Sequence, residues 1–345
     1  MNVAIIGPTG YVGIELLRLL YKHPHVNIHS IHSSSKVDTP LHEYFPHVHG
    51  MLSLQLEEID VEKIAKACDV VFFATPSGIA KELALPFIDK GIRIIDLSGD
   101  FRLQEEGMYE QWYKNQPAPM SYVQQAVYGL SEWNKENIRD ANVLSNPGCY
   151  ATAALLGLAP LLVHGVIEED SIVIDAKSGV SGAGKSPTMM THFPETNENI
   201  KIYRMNEHQH IPEIEQQLAK WNKNVAPITF STHLLPVTRG IMATMYGKVK
   251  KEESIERLIN LYKECYQDCS FVRIQEKGIY PSIKQVYGSN CCDIGIAYDE
   301  RTSRVTIVSV IDNVMKGAAG QAVQNFNIMY GLDERTGLDF LPIFP

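Results

Sequence analysis

The segment Ser145-Asn146-Pro147-Gly148-Cys149-Tyr150 has the features of a nucleophilic cysteine site. It places a thiol after a rigid proline–glycine turn and directly before a long apolar run with helical character. The positive end of a helix dipole favours thiolate over thiol in the first turn. A buried structural cysteine is the alternative, and it is the usual fate of this residue type. The turn and the helix start favour the nucleophile, which would attack an acyl carbon.

Two histidines lie in His208-Gln209-His210-Ile211-Pro212-Glu213-Ile214, which precedes the amphipathic stretch EIEQQLAKW. Pro212 suits the first turn of that helix. Zinc ligation and simple capping are alternatives, but acid–base work fits a thiol enzyme best, because a hemithioacetal oxygen must gain or lose a proton near neutral pH. The sequence leaves open which of His208 and His210 is the acid–base group.

Two arginines are candidates for binding an anionic substrate. Arg102, in DLSGDFR, follows the end of a strand, where ligands collect in open parallel sheets, and Arg239 lies in PVTRG. A guanidinium binds carboxylate or phosphate through paired hydrogen bonds. A surface ion pair is the alternative for each arginine.

A glycine-rich turn opens the chain between an apolar strand and a helix. Gly7, Gly10 and Gly13 let main-chain N–H groups approach a diphosphate at the helix start, with a plain tight turn as the alternative. The spacing G-x-x-G-x-x-G departs from G-x-G-x-x-G, so we expect a variant of the common dinucleotide turn. A thiol beside a nicotinamide predicts hydride transfer to a thioester. The predicted cofactor contacts in this turn are Gly7, Thr9, Gly10, Tyr11, Val12 and Gly13.

The end of the second strand indicates which dinucleotide is bound. NAD-preferring sites carry an acidic residue there for the ribose hydroxyls. This chain has none and instead has Ser33, Ser34, Ser35 and Lys36, whose hydroxyls and cation suit a 2′-phosphate. The segment predicts NADP, with a solvated polar loop as the alternative.

A second glycine-rich loop follows the strand IVIDAK. Residues 179–186 fit the G-x-x-x-x-G-K-[ST] spacing, so an ATP site is an alternative on pattern alone. A phosphate-binding loop of that kind should be followed by a helix, whereas the stretch after residue 186 is polar and interrupted by prolines. We therefore expect Ser181 and Gly182 to contact the nicotinamide cofactor or the reacting oxygen.

The elements that must position these residues alternate between strand and helix in the first half of the chain. A βαβ opening predicts a parallel sheet. Residues 104–142 indicate loop plus helices. The second half is rich in alternating strands and predicts an antiparallel-leaning sheet.

The predicted fold is α/β, with an N-terminal Rossmann-like dinucleotide-binding domain and a second α+β catalytic and oligomerisation domain. Strands are expected at residues 2–7, 26–34, 69–77 and 93–100, with helices from residue 9 to 23 and 79 to 90.

Composition limits the functional classes. The 345 residues exceed what one hydrophobic core usually supports, so two domains are expected. The formal net charge of -9 argues against nucleic acid and membrane surfaces as partners. The start has no basic leader, and no apolar run approaches the roughly 18 residues of a membrane span. We expect a cytoplasmic protein with reduced cysteines and no metal, because the six cysteines lack zinc-site spacing.

Taken together, these segments resemble the N-acetyl-gamma-glutamyl-phosphate reductase family along nearly the whole chain. The motifs that carry the resemblance occur in the family's order and read GPTGYVG, DLSGDFR, SNPGCY, SGVSGAGK, HQHIPEI, PVTRGI and DNVMKGAAGQAVQNFN. The resemblance implies reduction of N-acetyl-L-glutamyl 5-phosphate to the 5-semialdehyde with NADPH in arginine biosynthesis, by a homodimer or homotetramer. It also implies that Cys149 is the nucleophile, that His208 and His210 are the catalytic or substrate-binding pair, and that Asn313 contacts the nicotinamide.

The resemblance also implies that the last helix returns to the cofactor domain. We expect an NADP-binding domain over residues 1–148, joined by the C-terminal helix over 315–345, and a catalytic and oligomerisation domain over 149–314. Aspartate-semialdehyde dehydrogenase is the main alternative, since it shares the glycine turn and the KGAAG ending, but it typically reads Asn-Pro-Asn-Cys where this chain has Gly148 before Cys149. A lysine-pathway homologue and a non-enzymatic NADP-binding module are further alternatives.

Overall fold

Residues 1–344 are described by a computed structural model, and their strands form two separate seven-stranded sheets. The chain divides into two units accordingly. Unit 1 comprises Met1–Pro147 and Ala318–Asp339, and unit 2 comprises Gly148–Gly317 with the C-terminal residues from Phe340. The boundary thus falls two residues before Cys149, and the chain returns to unit 1 for its last helix.

The sheet of unit 1 is parallel throughout, in the strand order β3-β2-β1-β4-β5-β7-β6. This is the doubly wound arrangement expected of a dinucleotide-binding domain. Its strands are β1 (Asn2–Ile6), β2 (Asn27–His32), β3 (Leu56–Glu57), β4 (Val70–Phe73), β5 (Arg93–Asp96), β6 (Ala126–Tyr128) and β7 (Val143–Ser145).

The sheet of unit 2 is mixed, in the order β12-β13-β14-β11-β8-β10-β9. Neighbouring strands are antiparallel except β8 with β10 and β12 with β13. The predicted fold class, a Rossmann-like domain followed by an α+β domain, is confirmed. The strands are β8 (Val173–Gly179), β9 (Lys201–Ile202), β10 (Thr229–Leu235), β11 (Ile241–Lys248), β12 (Val272–Ile274), β13 (Cys292–Asp299) and β14 (Arg304–Ile311).

Thirteen α-helices complete the described chain, and none of them is long and apolar enough to cross a membrane. They are α1 (Tyr11–Tyr21), α2 (Leu41–Tyr44), α3 (Val61–Ala67), α4 (Ala80–Leu83), α5 (Leu85–Asp89), α6 (Met108–Tyr113), α7 (Met120–Val123), α8 (Ser131–Arg139), α9 (Cys149–Val163), α10 (Phe193–Thr196), α11 (His210–Trp221), α12 (Ile255–Cys265) and α13 (Gly320–Met329).

The helix predicted over residues 79–90 is two helices. Pro86 lies at the second position of α5, where the missing N–H is tolerated, whereas in one continuous helix it would interrupt the hydrogen-bond ladder. The segment 104–142 contains α6, α7 and α8, as expected, but also β6, which the sequence analysis missed. A strand of only three residues is too short to show a clear alternation.

Helix α9 forms the centre of unit 2. Every residue from Tyr150 to Leu162 is buried, as expected for a helix that is apolar on all sides. It packs against β11 and β14 of the sheet and against α11. The first residues of α9 and α11 are therefore held by a rigid core, and these residues are Cys149 and His210.

Candidate functional site

The glycine turn of unit 1 requires glycine at two of its three positions. Gly7 has φ +86°, and a Cβ there would lie 2.7 Å from the carbonyl oxygen of Ala74. A Cβ on Gly13 would lie 2.5 Å from the carbonyl oxygen of Gly7. Gly10, the N-cap of α1, has open space around its Cα and makes no side-chain cap hydrogen bond. The helix start can therefore accept a diphosphate.

The remaining predicted cofactor residues of unit 1 lie at the same edge of the parallel sheet. The N–H of Gly7 donates to the carbonyl of His32 at 3.0 Å, which joins the turn to the end of β2. Ser33 follows β2 directly, and Ser34, Ser35 and Lys36 are exposed. Thr9, Tyr11 and Val12 lie in the turn and the first turn of α1.

Cys149 is the first residue of α9, as the sequence predicted, and it is half-buried. Gly148 is the N-cap, and its carbonyl accepts from the main-chain N–H of Thr152 at 2.8 Å and from its hydroxyl at 3.1 Å. Gly317 approaches Cys149 so closely that a Cβ on the glycine would lie 2.7 Å from the Cβ of the cysteine. The thiol is therefore held at a helix start, and residue 317 can lie this close to it only because it is a glycine.

His210 lies against the residue that precedes the thiol. A Cβ on Gly148 would collide with Nε2 of His210 and lie 2.6 Å from Cε1 and 2.8 Å from Cδ2. The Nε2 edge of the imidazole therefore faces the N-cap of α9. The same Nε2 is 4.0 Å from Oε2 of Glu213.

His208 is packed in an aromatic cluster and is held neutral. Its ring lies edge-on to those of Tyr150, Tyr203 and Phe230, with centroids 5.3–5.8 Å away. Burial, and secondarily the charge of His210, lowers the pKa of His208 to about 2. Its Nδ1 accepts the main-chain N–H of His210 at 3.1 Å, so the proton of the neutral ring is on Nε2.

The second glycine loop is organised by Asn313. Its Oδ1 accepts the N–H of Gly240 at 2.7 Å, and its Nδ2 donates to the hydroxyl of Ser181 at 2.9 Å. A Cβ on Gly182 would lie 3.6 Å from the same Nδ2. Ser181, Gly182 and Asn313 are thus brought together, as expected. The loop continues as a 3-10 turn over Val180–Ala183 instead of the α-helix that an ATP-binding loop requires.

The two arginines differ in their surroundings. Nη1 of Arg239 is 3.6 Å from Oδ2 of Asp312, and its side chain is 23% exposed. Arg102, in unit 1, is buried, and it donates from Nε to the carbonyl of Asn146 at 2.8 Å and from Nη2 to the carbonyl of Leu97 at 3.3 Å. Arg102 therefore fixes the main chain three residues before the thiol.

Two residues of the thiol site were missed by the sequence analysis. Glu213 is fully buried, and its Oε1 accepts the N–H of Gly148 at 2.7 Å. Its position three residues after His210 on a helix was the available signal, because i and i+3 share a face. Gly317 was quoted within a motif, but only the fold shows that it approaches Cys149. Within residues 1–344, no cluster of three or more His, Cys, Asp or Glu side chains could hold a metal.

Comparison with known proteins agrees with both units. Residues 2–141 match the family model described as semialdehyde dehydrogenase, NAD binding domain, and residues 149–313 match that described as semialdehyde dehydrogenase, dimerisation domain. Solved aspartate-semialdehyde dehydrogenases have the same fold. That of Vibrio cholerae, in complex with ASA, has a TM-score of 0.72 at 18% identity, covering 96% of this chain and 98% of its own. That of Candida albicans, solved with NADP, has a TM-score of 0.71 at 16% identity, covering 95% and 98%.

Much closer relatives are found among curated sequences. An N-acetyl-gamma-glutamyl-phosphate reductase of Geobacillus sp. is 62% identical over 345 residues, and one of Bacillus anthracis is 59% identical over 344 residues. Each alignment covers 100% of both chains. The chain is therefore an oxidoreductase that belongs to the N-acetyl-gamma-glutamyl-phosphate reductase family of semialdehyde dehydrogenases.

Proposed function

We propose that the chain reduces N-acetyl-L-glutamyl 5-phosphate to N-acetyl-L-glutamate 5-semialdehyde with NADPH, in arginine biosynthesis, through a thioester on Cys149. The observation that carries the proposal is the thiol at the start of α9 with the His210 ring against its N-cap. Full-length relatives 58–62% identical, all named for this reaction, support the substrate.

The thiolate of Cys149 attacks the acyl carbon, so that a C–S bond forms, the bond from carbon to the phosphate oxygen breaks, and inorganic phosphate leaves. NADPH, when bound, supplies the hydride that reduces the thioester. The oxyanion that this reduction leaves on the hemithioacetal accepts a proton from the His210 imidazolium. The same ring takes that proton back while the C–S bond breaks, which releases the aldehyde and restores the thiolate and the imidazolium.

We assign the acid–base role to His210 and a positioning role to His208. A group that exchanges a proton with the substrate near neutral pH must be able to hold that proton. Burial keeps His208 neutral throughout this range, and its Nδ1 is engaged by the main chain. His210 has its Nε2 edge at the thiol's helix start and a carboxylate 4.0 Å away to stabilise its charged form.

The cofactor is proposed to be NADP. The exposed segment Ser34, Ser35 and Lys36 follows the end of β2, whose last residue, His32, accepts the N–H of Gly7 from the glycine turn. A lysine and two serines can give a 2′-phosphate charge-assisted hydrogen bonds. In unit 2, Ser181, Gly182 and Asn313 remain the proposed nicotinamide-side contacts.

For the anionic groups of the substrate, we propose Arg239 as a direct contact, because its guanidinium is partly exposed and oriented by the buried Asp312. Arg102 was predicted to have the same role. Its two hydrogen bonds to main-chain carbonyls support a contribution through the shape of the Asn146 segment.

We further propose that the chain is a homodimer or homotetramer. Unit 2 matches a dimerisation domain, and large apolar side chains are exposed along one stretch of it. Exposed apolar clusters of this kind mark protein interfaces. The exposed residues are Met189, Met190, Phe193, Ile200, Ile202 and Met205. Light scattering of the purified protein should give two or four times the 38.7 kDa chain mass, and a monomer at micromolar concentration would contradict the proposal.

The substrate assignment is tested by running the reaction backwards. Phosphate-dependent oxidation of N-acetylglutamate semialdehyde and of aspartate semialdehyde is measured side by side with NADP. We expect kcat/KM to favour the acetylated substrate by at least about 100-fold, because a site built for one set of polar groups leaves them unpaired with the other. Faster oxidation of aspartate semialdehyde would overturn the substrate while leaving the cysteine chemistry in place.

A further inference from the structure

Two helices of unit 2 begin at chemically important residues, and one carboxylate connects their starts. Helix α9 begins at Cys149 and α11 begins at His210. Glu213, in the first turn of α11, accepts the N–H of Gly148, the N-cap of α9, at 2.7 Å. Its other oxygen, Oε2, is 4.0 Å from Nε2 of His210.

From this geometry we infer that Glu213 is a positioning residue, whose charge holds the thiol's helix start and the His210 imidazole in one fixed arrangement. The inference rests on the proposed function for the roles of Cys149 and His210. Glu213 itself is fully buried, so it acts through its two neighbours and not on the substrate.

The surroundings explain how a carboxylate can be buried here. A buried charge is costly unless it is paired and hydrogen-bonded. Glu213 receives a main-chain N–H at one helix start and lies in the first turn of another, where the helix dipole favours negative charge. A main-chain donor to a carboxylate is also a charge-assisted bond, about twice as strong as a neutral one.

The hydrogen bond from the N–H of Gly148 requires only an acceptor oxygen, and a neutral amide side chain could provide one. The negative charge has a separate effect on His210. A carboxylate 4.0 Å from Nε2 is close enough to attract a positively charged imidazolium, which a neutral amide at the same place would not do. The imidazolium in turn stabilises the neighbouring thiolate.

The two effects are separated by Glu213→Gln, which keeps the length of the side chain and an acceptor oxygen but removes the charge. Glu215→Gln is the matched control. Glu215 is on the same helix and its Oε1 also accepts a main-chain N–H, from Ile228 at 2.9 Å. Both variants are examined by circular dichroism and thermal unfolding to establish that they fold.

The decisive readout needs no substrate. The rate of alkylation of Cys149 by iodoacetamide is measured from pH 5 to 9 in the full-length protein, and the step that depends on His210 is identified by its loss in His210→Gln. In Glu213→Gln we expect this step to move to lower pH by about 0.5–1 unit, because the charged ring has lost its carboxylate neighbour. Glu215→Gln should give the wild-type profile.

Activity supplies the second readout. We expect kcat for N-acetylglutamate semialdehyde to fall by about 10- to 100-fold in Glu213→Gln, because His210 is no longer held in the orientation needed for proton transfer. The KM should change little, because Glu213 does not contact the substrate. An unchanged alkylation profile with unchanged kcat would overturn the inference. If Glu213→Gln does not fold, Glu213→Asp, which keeps the charge but is one methylene shorter, should retain the pH step and lose kcat; loss of the step there would contradict the charge effect.

Failure of the proposed function would look different. A wild-type protein that oxidises neither semialdehyde would refute the reaction, while the alkylation profiles of Cys149 would still report whether Glu213 controls the histidine–thiol pair.

Discussion

The imidazole of His210 fills the space in which a side chain on Gly148 would lie. A Cβ on the glycine would lie 2.6 Å from Cε1 of the ring, closer than real Cβ atoms come to their neighbours. The glycine before the thiol and the second histidine of HQHIPEI are therefore one structural feature. This gives a physical reason why glycine precedes the thiol in a chain that carries His210 at this position.

Gly148→Ala should impair catalysis without abolishing the fold. The added methyl group must displace the His210 ring, and a misplacement of about 1 Å can reduce turnover by about 100-fold. The variant is compared with the wild type by kcat and by thermal unfolding. Ala159→Gly, in the buried middle of α9, is the control for a loss of helix stability and core packing that leaves the residues around Gly148 unchanged. Near wild-type kcat in Gly148→Ala would contradict the placement of His210.

Cofactor preference should depend on Lys36. We expect kcat/KM for NADPH to exceed that for NADH in the wild type, and Lys36→Ala to lower the NADPH value by about 10-fold, which corresponds to about 1.4 kcal/mol for a lost charge-assisted contact. The NADH value should be unchanged. Lys66→Ala, an exposed lysine on α3, is the control for a general change in charge. Equal use of both cofactors by the wild type would mean that Ser33 to Lys36 form only a solvated loop.

The free energy of unfolding should fall at acidic pH, and the buried His208 should account for part of the decrease. The unfolded chain takes up a proton on this histidine near pH 6.5, but in the folded chain burial lowers the pKa to about 2. The folded state therefore loses about 1.4 kcal/mol for each pH unit below 6.5, until the folded chain also binds the proton. His23 and His32, whose pKa values burial also lowers, add to the same trend.

In His208→Asn this part of the pH dependence should disappear. Asparagine can still accept the N–H of His210 but does not titrate. The free energy of unfolding is measured in urea at pH 7.5 and 5.5, and the difference between the two values should be smaller in the variant by about 1.4 kcal/mol. The same difference in both proteins would show that His208 is not buried neutral.

The two arginines should give different phenotypes. Arg239→Ala should raise the KM for phosphate or semialdehyde by about 10-fold, as expected for one lost ionic contact to substrate. Arg102→Ala removes two hydrogen bonds to buried carbonyls and should lower the free energy of unfolding by about 2–3 kcal/mol. A KM defect with unchanged stability in Arg102→Ala would restore it as a direct substrate contact.

The sequence was sufficient for features that depend on local pattern. The strand before Gly7, the helix that begins after Gly10 and the helix that begins at Cys149 all follow from periodicity and turn residues, and the structure has them. The strand β6 was not predicted, because three residues are too few to show an alternating pattern. The break at Pro86 was also missed, although the proline itself was a local signal for it.

At the site, too, local motifs could be predicted from the sequence, whereas contacts between distant residues could not. Cys149 and the two histidines were predicted from motifs. The different surroundings of the two histidines could not be predicted, because they arise from the aromatic cluster around His208. Glu213 was missed because its partner, the N–H of Gly148, is 65 residues away in the chain. Arg102 was predicted to be an anion contact from its position after a strand, and only the fold shows its bonds to Leu97 and Asn146.

The thioester is tested most directly by intact-protein mass spectrometry and turnover of Cys149→Ala beside the wild type. With the acyl phosphate and no NADPH, the wild type should gain the mass of one N-acetylglutamyl group, and the variant should gain none. The variant should also lack turnover while it binds NADPH with nearly the wild-type Kd, since the dinucleotide turn is in unit 1. Substantial turnover by Cys149→Ala, or an acyl group on another residue, would contradict the mechanism.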